Sequence, residues 1–534
     1  MNKKIYISMI AGLMLFLPAC DLDNLTELDN PKYQLVPGNT DMSMMFSNIL
    51  VSAGRRVEGG NTIQLGAGYV KYYATFSFIL ETSNLLQFNQ DRNDNQWAAY
   101  NNELKMAVTL EDYLVKQDDP NHVNNLARTR IMKALIIQRL TDFYGDIPIF
   151  EAARAYTDNL IKPEYDKQQD IYKYLLETVD QAVASLTNDA ALNTFNWKGP
   201  RDLIYNGNID KWRMFGNSLM LRMAMRISEA DPGMAKTYAE KAIAGGVITS
   251  NADNWVLPTR NAMNSEKNAY SMYFEGSPSG DPERYLKLSE YFVDFLQAKE
   301  DPRRKVIFGG RLKEEVEGFT AANMQSYWRD AEKWNWETDQ AKGMMHGTPA
   351  NPSASLGAYH KTYTSPNPFL WTLDRGHEGI TAAEMHYLIA EASLKNWNTG
   401  TTAQSAYEQG IQTSMSKYTG YAGLLEFQKI SQEEIDAYIS ANPLGTGDAA
   451  RQRLAEELWV HLYMDPAESW FHVRRVNLEM PPNLPGKPMP RRNAYVNNER
   501  LNNYDNLVEA LSWLGLGESA TVEQEWYNKV WWDK

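Results

Sequence analysis

The sequence predicts a mainly α-helical protein, a superhelix of paired helices that carries one long, irregular, loop-rich lobe. From Trp97 onward, apolar residues recur at the three- and four-residue spacings of amphipathic helices, and glycine or proline separates these helices into short-linked pairs. Two stretches, 251–289 and 303–379, show no such periodicity and are long for loops of a compact domain. With 534 residues, 43% of them hydrophobic, the chain is long enough to form a large core.

The N-terminus resembles the signal peptide of a bacterial lipoprotein. Lys3 and Lys4 precede an almost wholly apolar run, 5–17, which is too short to span a bilayer as a helix, and Leu-Pro-Ala then leads into Cys20. This order resembles a lipobox. We therefore expect a lipoprotein signal peptide at 1–19 and lipidation of Cys20 by two or three acyl chains, enough for stable anchoring. The alternative is an ordinary secretory signal with a chance cysteine.

Cys20 is the one cysteine of the chain. Its lipidation leaves no thiol for a disulfide, a cysteine nucleophile or a thiolate metal site. Segment 20–42 is acidic, contains two prolines and shows no periodicity, so it is predicted to be a lipidated tether. Asp21 and Asp23, directly behind the anchor, are either an export signal like that of surface-displayed lipoproteins or simply a solvated linker.

The helix pairs follow from the apolar spacing. One apolar stripe, which Gly145 and Pro148 bring to an end, consists of Met132, Ile136, Leu140 and Phe143. A second stripe consists of Trp212, Phe215, Leu219, Met223 and Ile227. After it, Asp231 can cap and Pro232 can begin a helix with a stripe of small residues, Ala235, Ala239 and Ala242, before Gly245 and Gly246. Because small side chains let helices approach closely, this pair resembles a tetratricopeptide unit.

Similar pairs are predicted from Asn121 to Leu186 and from Ala382 to Tyr418. No fixed period of about 34 residues is visible, so a diverged superhelix is predicted in preference to a regular solenoid. We expect a single domain at 43–534. Its irregular lobe is placed mainly at 251–379 and its C-terminal segment at 476–534.

Five blocks of the sequence resemble, in order, the SusD/RagB family of nutrient-binding lipoproteins. The first two are LTDFYGDIP at 140–148 and DKWRMFGNSLMLRMAMRI at 210–227. The next two are the Ala-Glu block at 383–392 and the helix at 454–475 that precedes the C-terminal lobe. The last consists of Pro490, Arg491, Arg492, Tyr495, Glu499, Val530, Trp531 and Trp532.

The resemblance implies an α-superhelix of about four tetratricopeptide-like pairs, with the ligand site in the irregular lobe. It also implies a lipoprotein on the outer leaflet of the outer membrane. Such proteins cap a SusC-like TonB-dependent transporter and deliver oligosaccharides or, in some branches, peptides. The matching residues also have structural interpretations, with Gly145 and Pro148 as a helix terminator, Trp212 as a core residue, and Trp531 with Trp532 as a C-terminal plug.

The composition disfavours nucleic acid as a partner and is compatible with a sugar ligand. A formal charge of −14 repels phosphate backbones. The chain contains 15 Trp and 30 Tyr, side chains that present an apolar face and a polar group to a partly hydrated ligand. Core packing would account for most of them.

The candidate ligand-binding residues lie mainly in the lobe, because a pyranose is held by flat aromatic surfaces and a few polar groups. They are Tyr327, Trp328, Trp334, Trp336, Asn335, Tyr270 and Tyr273. The alternative is that these rings cover the core. A second candidate pair is Phe88 and Asn89, near the place where starch-binding members of the family carry part of their aromatic arc. This segment contains no tryptophan, which puts starch in doubt and leaves the cargo open.

No catalytic, metal-binding or cofactor-binding constellation is visible in the sequence. His377 and Glu378 match the start of a zinc-binding helix motif, but Thr381 occupies the position where that motif requires a second histidine. Adjacent carboxylates on a helix point apart and do not form a glycosidase pair. We therefore predict a binding protein that is not an enzyme. The alternatives are a glycan-cleaving surface lipoprotein and a scaffold that binds only a protein partner.

Overall fold

Helices form most of the structure. The computed structural model describes residues 41–55, 64–75, 86–155, 158–263, 266–269, 271, 286–320, 326–327, 330–348 and 356–534. The predicted signal peptide, Cys20 and the tether up to residue 40 lie outside the described residues, as do Tyr270, Tyr273 and Trp328. Among the helices described, none has the length and apolar character that crossing a membrane requires.

The helices are numbered in chain order. Those of the first half are α1 (Met42–Arg55), α2 (Gln90–Asn95), α3 (Lys105–Gln117), α4 (Val123–Tyr144), α5 (Gln168–Ser185), α6 (Ile209–Arg226) and α7 (Pro232–Gly245). The lobe and the following scaffold contribute α8 (Glu290–Ala298), α9 (Arg304–Ile307), α10 (Leu356–Thr362), α11 (Ala382–Leu394), α12 (Ala403–Ser416), α13 (Gln432–Ala441), α14 (Gly447–His461) and α15 (Pro466–Arg475). The C-terminal segment adds α16 (Asn497–Asn502), α17 (Tyr504–Trp513) and α18 (Val522–Tyr527).

In the part of the chain that the structure describes, four pairs of consecutive helices build the scaffold, and α3 packs on the first of them. They are α4 with α5, α6 with α7, α11 with α12, and α14 with α15. Helix α6 also packs against α5 and α11, and α11 packs against α14, so that the pairs share one continuous hydrophobic core. The predicted mainly α-helical, tetratricopeptide-like fold is confirmed. Its stripes are buried as expected, since Met132, Leu140 and Trp212 are almost completely shielded from solvent.

The fourth pair differs from the sequence prediction. Residues 454–475 resemble a single helix, but α14 ends at His461 and α15 begins at Pro466. The Asp465 side chain accepts a hydrogen bond from the backbone N–H of Glu468 at 3.1 Å, and Pro466 occupies the first helical turn, where its missing N–H costs nothing. The cap and the proline therefore begin a new helix.

The cap of α7 carries a testable prediction. Asp231 accepts a hydrogen bond from the backbone N–H of Met234 at 2.9 Å. Asp231→Ala removes this bond and is expected to lower the free energy of unfolding by about 1 kcal/mol, measured by urea denaturation. Asp231→Asn retains a capping oxygen and is the matched control, expected to lose only a few tenths of a kcal/mol. Equal losses in the two variants would contradict the capping role.

Short antiparallel ladders tie the irregular stretches together. They pair β1 (Tyr73–Thr75) with β3 (Leu286–Leu288), β2 (Val256–Leu257) with β6 (His377–Glu378), and β4 (Arg311–Leu312) with β5 (Trp334–Asn335). Strands of two or three residues are too short to produce a readable alternation of apolar and polar residues. The sequence pattern therefore shows these segments only as loops.

Asp142, in the LTDFYGDIP block, connects distant parts of the chain. Its fully buried carboxylate accepts hydrogen bonds from the Tyr172 hydroxyl at 2.5 Å and from Trp532 Nε1 at 2.8 Å. Arg226 Nε lies 3.2 Å from the same carboxylate, and Gln138 also donates to it. Asp142 thus joins α4, α5, α6 and the C-terminal segment, and the role of Trp532 as a C-terminal plug is confirmed.

His472 on α15 makes stability depend on pH. Burial and the nearby Arg475 guanidinium lower the pKa of His472 to about 3, and its Nε2 lies 2.9 Å from the Ala455 carbonyl oxygen. The unfolded chain binds a proton near pH 6.5 whereas the folded protein does not, so this contribution is complete above pH 6.5 and is lost as the pH falls towards 3. When the pH is lowered from 6.5 to 5, the free energy of unfolding of His472→Gln is expected to fall by about 1.6 kcal/mol less than that of the wild type. Parallel losses in urea titrations at the two pH values would contradict this assignment.

Candidate functional site

A two-residue ladder positions the predicted aromatic residues of the lobe. In this ladder Leu312 of β4 pairs with Trp334 of β5, and Arg311 pairs with Asn335. Gly310, directly before β4, has φ of 76°, and a Cβ atom at this position would lie 2.5 Å from the Asn335 carbonyl oxygen. Only glycine combines this backbone conformation with so close an approach. The ladder therefore fixes where Trp334 and its neighbours lie.

Trp334 lies inside the lobe. Its side chain is 2% exposed and forms a small core with Leu312 and Phe319. The Trp334 and Phe319 rings pack edge-on, with their centres 6.2 Å apart. Trp334 Nε1 donates a 2.7 Å hydrogen bond to the carbonyl oxygen of Tyr327, and Lys333 Nζ lies 4.7 Å from the centre of the Tyr327 ring. In this arrangement Trp334 offers no ring face to a ligand. It has instead the core-covering role that the sequence analysis gave as the alternative.

Trp336 lies at the edge of this small core and reaches the surface. Its indole is half-buried, and Nε1 donates a 2.9 Å hydrogen bond to the carbonyl oxygen of Ala331. The Trp336 ring centre lies 5.8 Å from that of Phe369 and 5.8 Å from that of Phe427. Phe427, in the segment before α13, is 53% exposed. Trp336 and Phe427 together form the aromatic side of a cleft of about 470 Å³, here called the first cleft.

Polar groups complete the first cleft. Its lining residues are Lys305, Trp336, Glu337, Thr338, Asp339, Gln340 and Phe427. Asn335 shapes this turn, because its Oδ1 accepts a hydrogen bond from the Glu337 backbone N–H at 3.1 Å and its Nδ2 donates to Gln340 Oε1 at 3.2 Å. A ring surface bordered by amide, hydroxyl and carboxylate groups can hold a flat, hydroxylated ligand.

A second cleft, of about 480 Å³, opens beyond Phe369. Phe369 contributes to its lining, and the Phe369 ring also contacts Trp336, which lines the first cleft. Asn261, Arg375 and Tyr421 supply polar groups, and the Tyr421 hydroxyl donates to the carboxylate of Glu378. Burial raises the pKa of Glu378, but the nearby Lys417 and Arg375 outweigh burial and hold that pKa below its usual value.

Phe88 and Asn89, the second candidate pair, contact the C-terminal segment and α2. The Phe88 ring packs edge-on against Trp526 at 5.6 Å. Asn89 is the N-cap of α2, where its Oδ1 accepts a hydrogen bond from the Arg92 backbone N–H at 3.0 Å. These contacts give both residues a structural role outside the first cleft.

Sequence reasoning missed Phe369 and Phe427. Phe427 precedes Ser431, which forms a capping box with Glu434 at the start of α13. Phe427 therefore lies just before a recognisable helix start and belongs to no apolar stripe. An aromatic residue in such a position is the sequence signal that could have marked Phe427 as a surface candidate. Phe369 follows Asn367 and carries no comparable signal.

A buried group of polar side chains lies behind the small core. Lys287 Nζ lies 2.8 Å from Ser365 Oγ and 2.5 Å from His360 Nδ1, and the His360 ring lies 4.8 Å from that of Phe319. Burial lowers the pKa of Lys287 well below its usual value. Serine, histidine and lysine form nucleophilic groups in some hydrolases, but these three are almost completely buried, so a substrate does not reach them in this structure.

The fold and the first cleft define a class of protein: a helical-repeat scaffold with an irregular lobe whose surface carries an aromatic-lined cleft. The family model SusD-like_2, described as "Starch-binding associating with outer membrane", matches residues 34–496. The chain therefore belongs to the SusD-like family, and the resemblance recognised in the sequence is confirmed.

Several solved structures are similar over nearly the whole chain. A chitin-binding protein is 26% identical, with a TM-score of 0.76, and the match covers 92% of this chain and 100% of that one. A SusD-like protein described as Bacteroidetes AC2a is 22% identical, with a TM-score of 0.73 and coverage of 93% and 100%. A chitin-binding SusD homologue from Flavobacterium johnsoniae is 20% identical, with a TM-score of 0.68 and coverage of 92% and 98%. The last two show the shared fold alone. No curated protein matches the chain significantly.

Proposed function

We propose that the protein is a non-catalytic surface lipoprotein that binds nutrient oligosaccharides and delivers them to a SusC-like TonB-dependent transporter. The observation that carries this proposal is the pair of rings formed by half-buried Trp336 and exposed Phe427, beside the polar groups of the first cleft. A pyranose places C–H groups on its face and hydroxyls around its rim. Stacking on the rings and hydrogen bonding at the rim match these two surfaces.

The apolar area that two sugar rings can bury on Trp336 and Phe427 sets the expected affinity. Burying about 100 Å² of apolar surface per sugar ring is worth roughly 2.5 kcal/mol, and two rings give about 5 kcal/mol before association costs are subtracted. The net affinity is therefore expected to lie in the micromolar to millimolar range. Weak binding suits a protein that releases its cargo to a transporter.

The comparisons support a glycan ligand. The family model is described as starch-binding, and the relative at 26% identity is described as chitin-binding. The same family description mentions the outer membrane, which agrees with the lipobox-like sequence that ends at Cys20. Lipidation of Cys20 would tether the protein to that membrane, and a barrel transporter is the partner that the family resemblance implies.

The proposal is tested by screening the purified protein on an array of neutral and acidic oligosaccharides together with a peptide library. We expect binding to one or more glycans and no release of new reducing ends over a prolonged incubation. Steady production of reducing ends would make the protein an enzyme. Hits only among the peptides would assign it to the peptide-binding branch of the family.

The membrane assignment has its own test. Palmitate labelling of cells that express the full chain is expected to label the wild type and not the Cys20→Ser variant. Protease added to intact cells should degrade the protein if it lies on the outer surface. Labelling that survives Cys20→Ser would overturn the predicted anchor.

A further inference from the structure

The first cleft continues into a third cleft on the far side of Lys305. The third cleft, of about 360 Å³, lies between segment 299–305 of the lobe and helix α13. Lys305 and Thr338 line both clefts, so the two openings share a wall. The first and third clefts together are here called the seam groove, since they follow the boundary between the lobe and α13.

We infer that the seam groove binds a linear, uncharged saccharide chain, with the third cleft holding sugar units beyond those stacked on Trp336 and Phe427. This inference rests on the proposed function, and it adds a second set of subsites and a selection by charge. The additional subsites follow from the wall that the two clefts share, and the charge selection follows from how the charged side chains of the groove are paired.

Three cationic side chains of the groove each have a carboxylate partner within the protein. The pairs are Lys305 with Glu434 at 2.9 Å, Arg304 with Asp339 at 2.9 Å, and Lys299 with Glu456 at 2.8 Å. Lys305 Nζ also donates to the Lys429 carbonyl oxygen at 2.8 Å, which holds it in place. A uronate or sulfate group that bound one of these cations would displace a carboxylate and leave that carboxylate without its partner.

Other groups in the groove disfavour anions and suit hydroxyls. Glu300 and Glu337 add negative charge to the lining. Thr338, Gln340 and Asn442 are uncharged and can donate or accept hydrogen bonds. A sugar hydroxyl can share a hydrogen bond with a paired carboxylate without breaking the ion pair. An uncharged chain therefore gains these contacts at a lower cost than an acidic one.

The third cleft is tested by blocking it. Ala437 lies on the exposed side of α13 and lines this cleft, so Ala437→Trp fills the space without entering the core. The probes are neutral trisaccharides and hexasaccharides of the maltose, cellulose and chitin series, measured by calorimetry. For the series that binds, we expect hexasaccharide affinity to fall about tenfold, close to the trisaccharide value, while trisaccharide affinity is unchanged. The matched control is Ala449→Trp, at an exposed alanine of α14 outside the groove.

The charge selection is tested by releasing one cation. Glu434→Gln removes the partner of Lys305, while glutamine can preserve the capping box with Ser431. Wild-type protein is expected to bind hexagalacturonate at least about tenfold more weakly than the neutral hexasaccharide, and Glu434→Gln should narrow that gap. Glu433→Gln, an exposed neighbour on α13, should leave the gap unchanged.

The outcomes separate this inference from the proposed function. Unchanged hexasaccharide binding in Ala437→Trp, or equal wild-type affinity for neutral and acidic hexasaccharides, would overturn the inference while leaving glycan binding established. If no saccharide of either kind binds the wild type, the proposed function fails and the inference falls with it.

Discussion

Asp142→Ala is expected to lower the free energy of unfolding by about 3–5 kcal/mol, because it removes one partner of a fully buried ion pair. The change removes the acceptor for the Tyr172 hydroxyl and Trp532 Nε1, and it leaves Arg226 with Glu468 as its carboxylate partner. These donors are buried, so water does not replace the lost hydrogen bonds without rearrangement of the fold. The loss is measured by urea denaturation followed by circular dichroism.

Asp180→Ala is the matched control for the buried carboxylate. Asp180 pairs with Lys241 at the protein surface, where the lysine side chain is 57% exposed. A surface ion pair of this kind contributes less than about 1 kcal/mol. If Asp142→Ala costs no more than Asp180→Ala, the network around Asp142 does not hold the helices and the C-terminal segment together.

The double variant Trp336→Ala with Phe427→Ala is expected to weaken glycan binding at least about a hundredfold, which corresponds to about 2.7 kcal/mol. In the proposed site each ring would provide a face for one sugar unit, and alanine would provide none. Phe427 is exposed and Trp336 lies half-buried at the edge of the small core, so the melting temperature should change by only a few degrees. Isothermal calorimetry with the best oligosaccharide from the array gives the affinity.

Phe195→Ala is the control for the loss of an exposed ring. Phe195 is 49% exposed, close to the exposure of Phe427, and its ring contacts His122 at 5.0 Å outside the lobe. Its removal should leave glycan affinity unchanged. The first cleft would not be the ligand site if Phe195→Ala weakened glycan binding as much as the double variant does. Full retention of binding in the double variant would lead to the same conclusion.

Trp334 provides a contrast within the same strand. Because its ring is 2% exposed and fills the small core of the lobe, Trp334→Ala is expected to act mainly by destabilising the lobe. Of these two candidate ligand-binding tryptophans, Trp336 therefore remains one and Trp334 has the core-covering role. Reduced affinity in Trp334→Ala is informative only alongside its unfolding curve.

The scaffold could be predicted because its signals are local. The spacing of Met132, Ile136 and Phe143 is enough to place one face of α4 in the core, and Asp231 with Pro232 marks the start of α7. The break between α14 and α15 was missed although Asp465 and Pro466 carry the same cap-and-proline signal, because the apolar pattern continues on both sides of it.

The candidate site could be predicted only in part. Trp334 and Trp336 are two positions apart, and in a continuous strand both would lie on the same face. β5 ends at Asn335, whose side chain bonds to the backbone of the next turn, so the two rings have different environments. Phe427 comes from the segment before α13, far along the chain, and no local pattern links it to Trp336.

The sequence by itself determined the helical class, the start of α7 at Asp231 and Pro232, and the family, because each depends on residues that are near neighbours in the chain. The tertiary structure decided which aromatic rings are buried and which border an open cleft. Exposure of a ring depends on what packs against it, and here those neighbours come from the lobe and the scaffold together. The same packing pairs Lys305 with Glu434 and so neutralises that lysine within the seam groove.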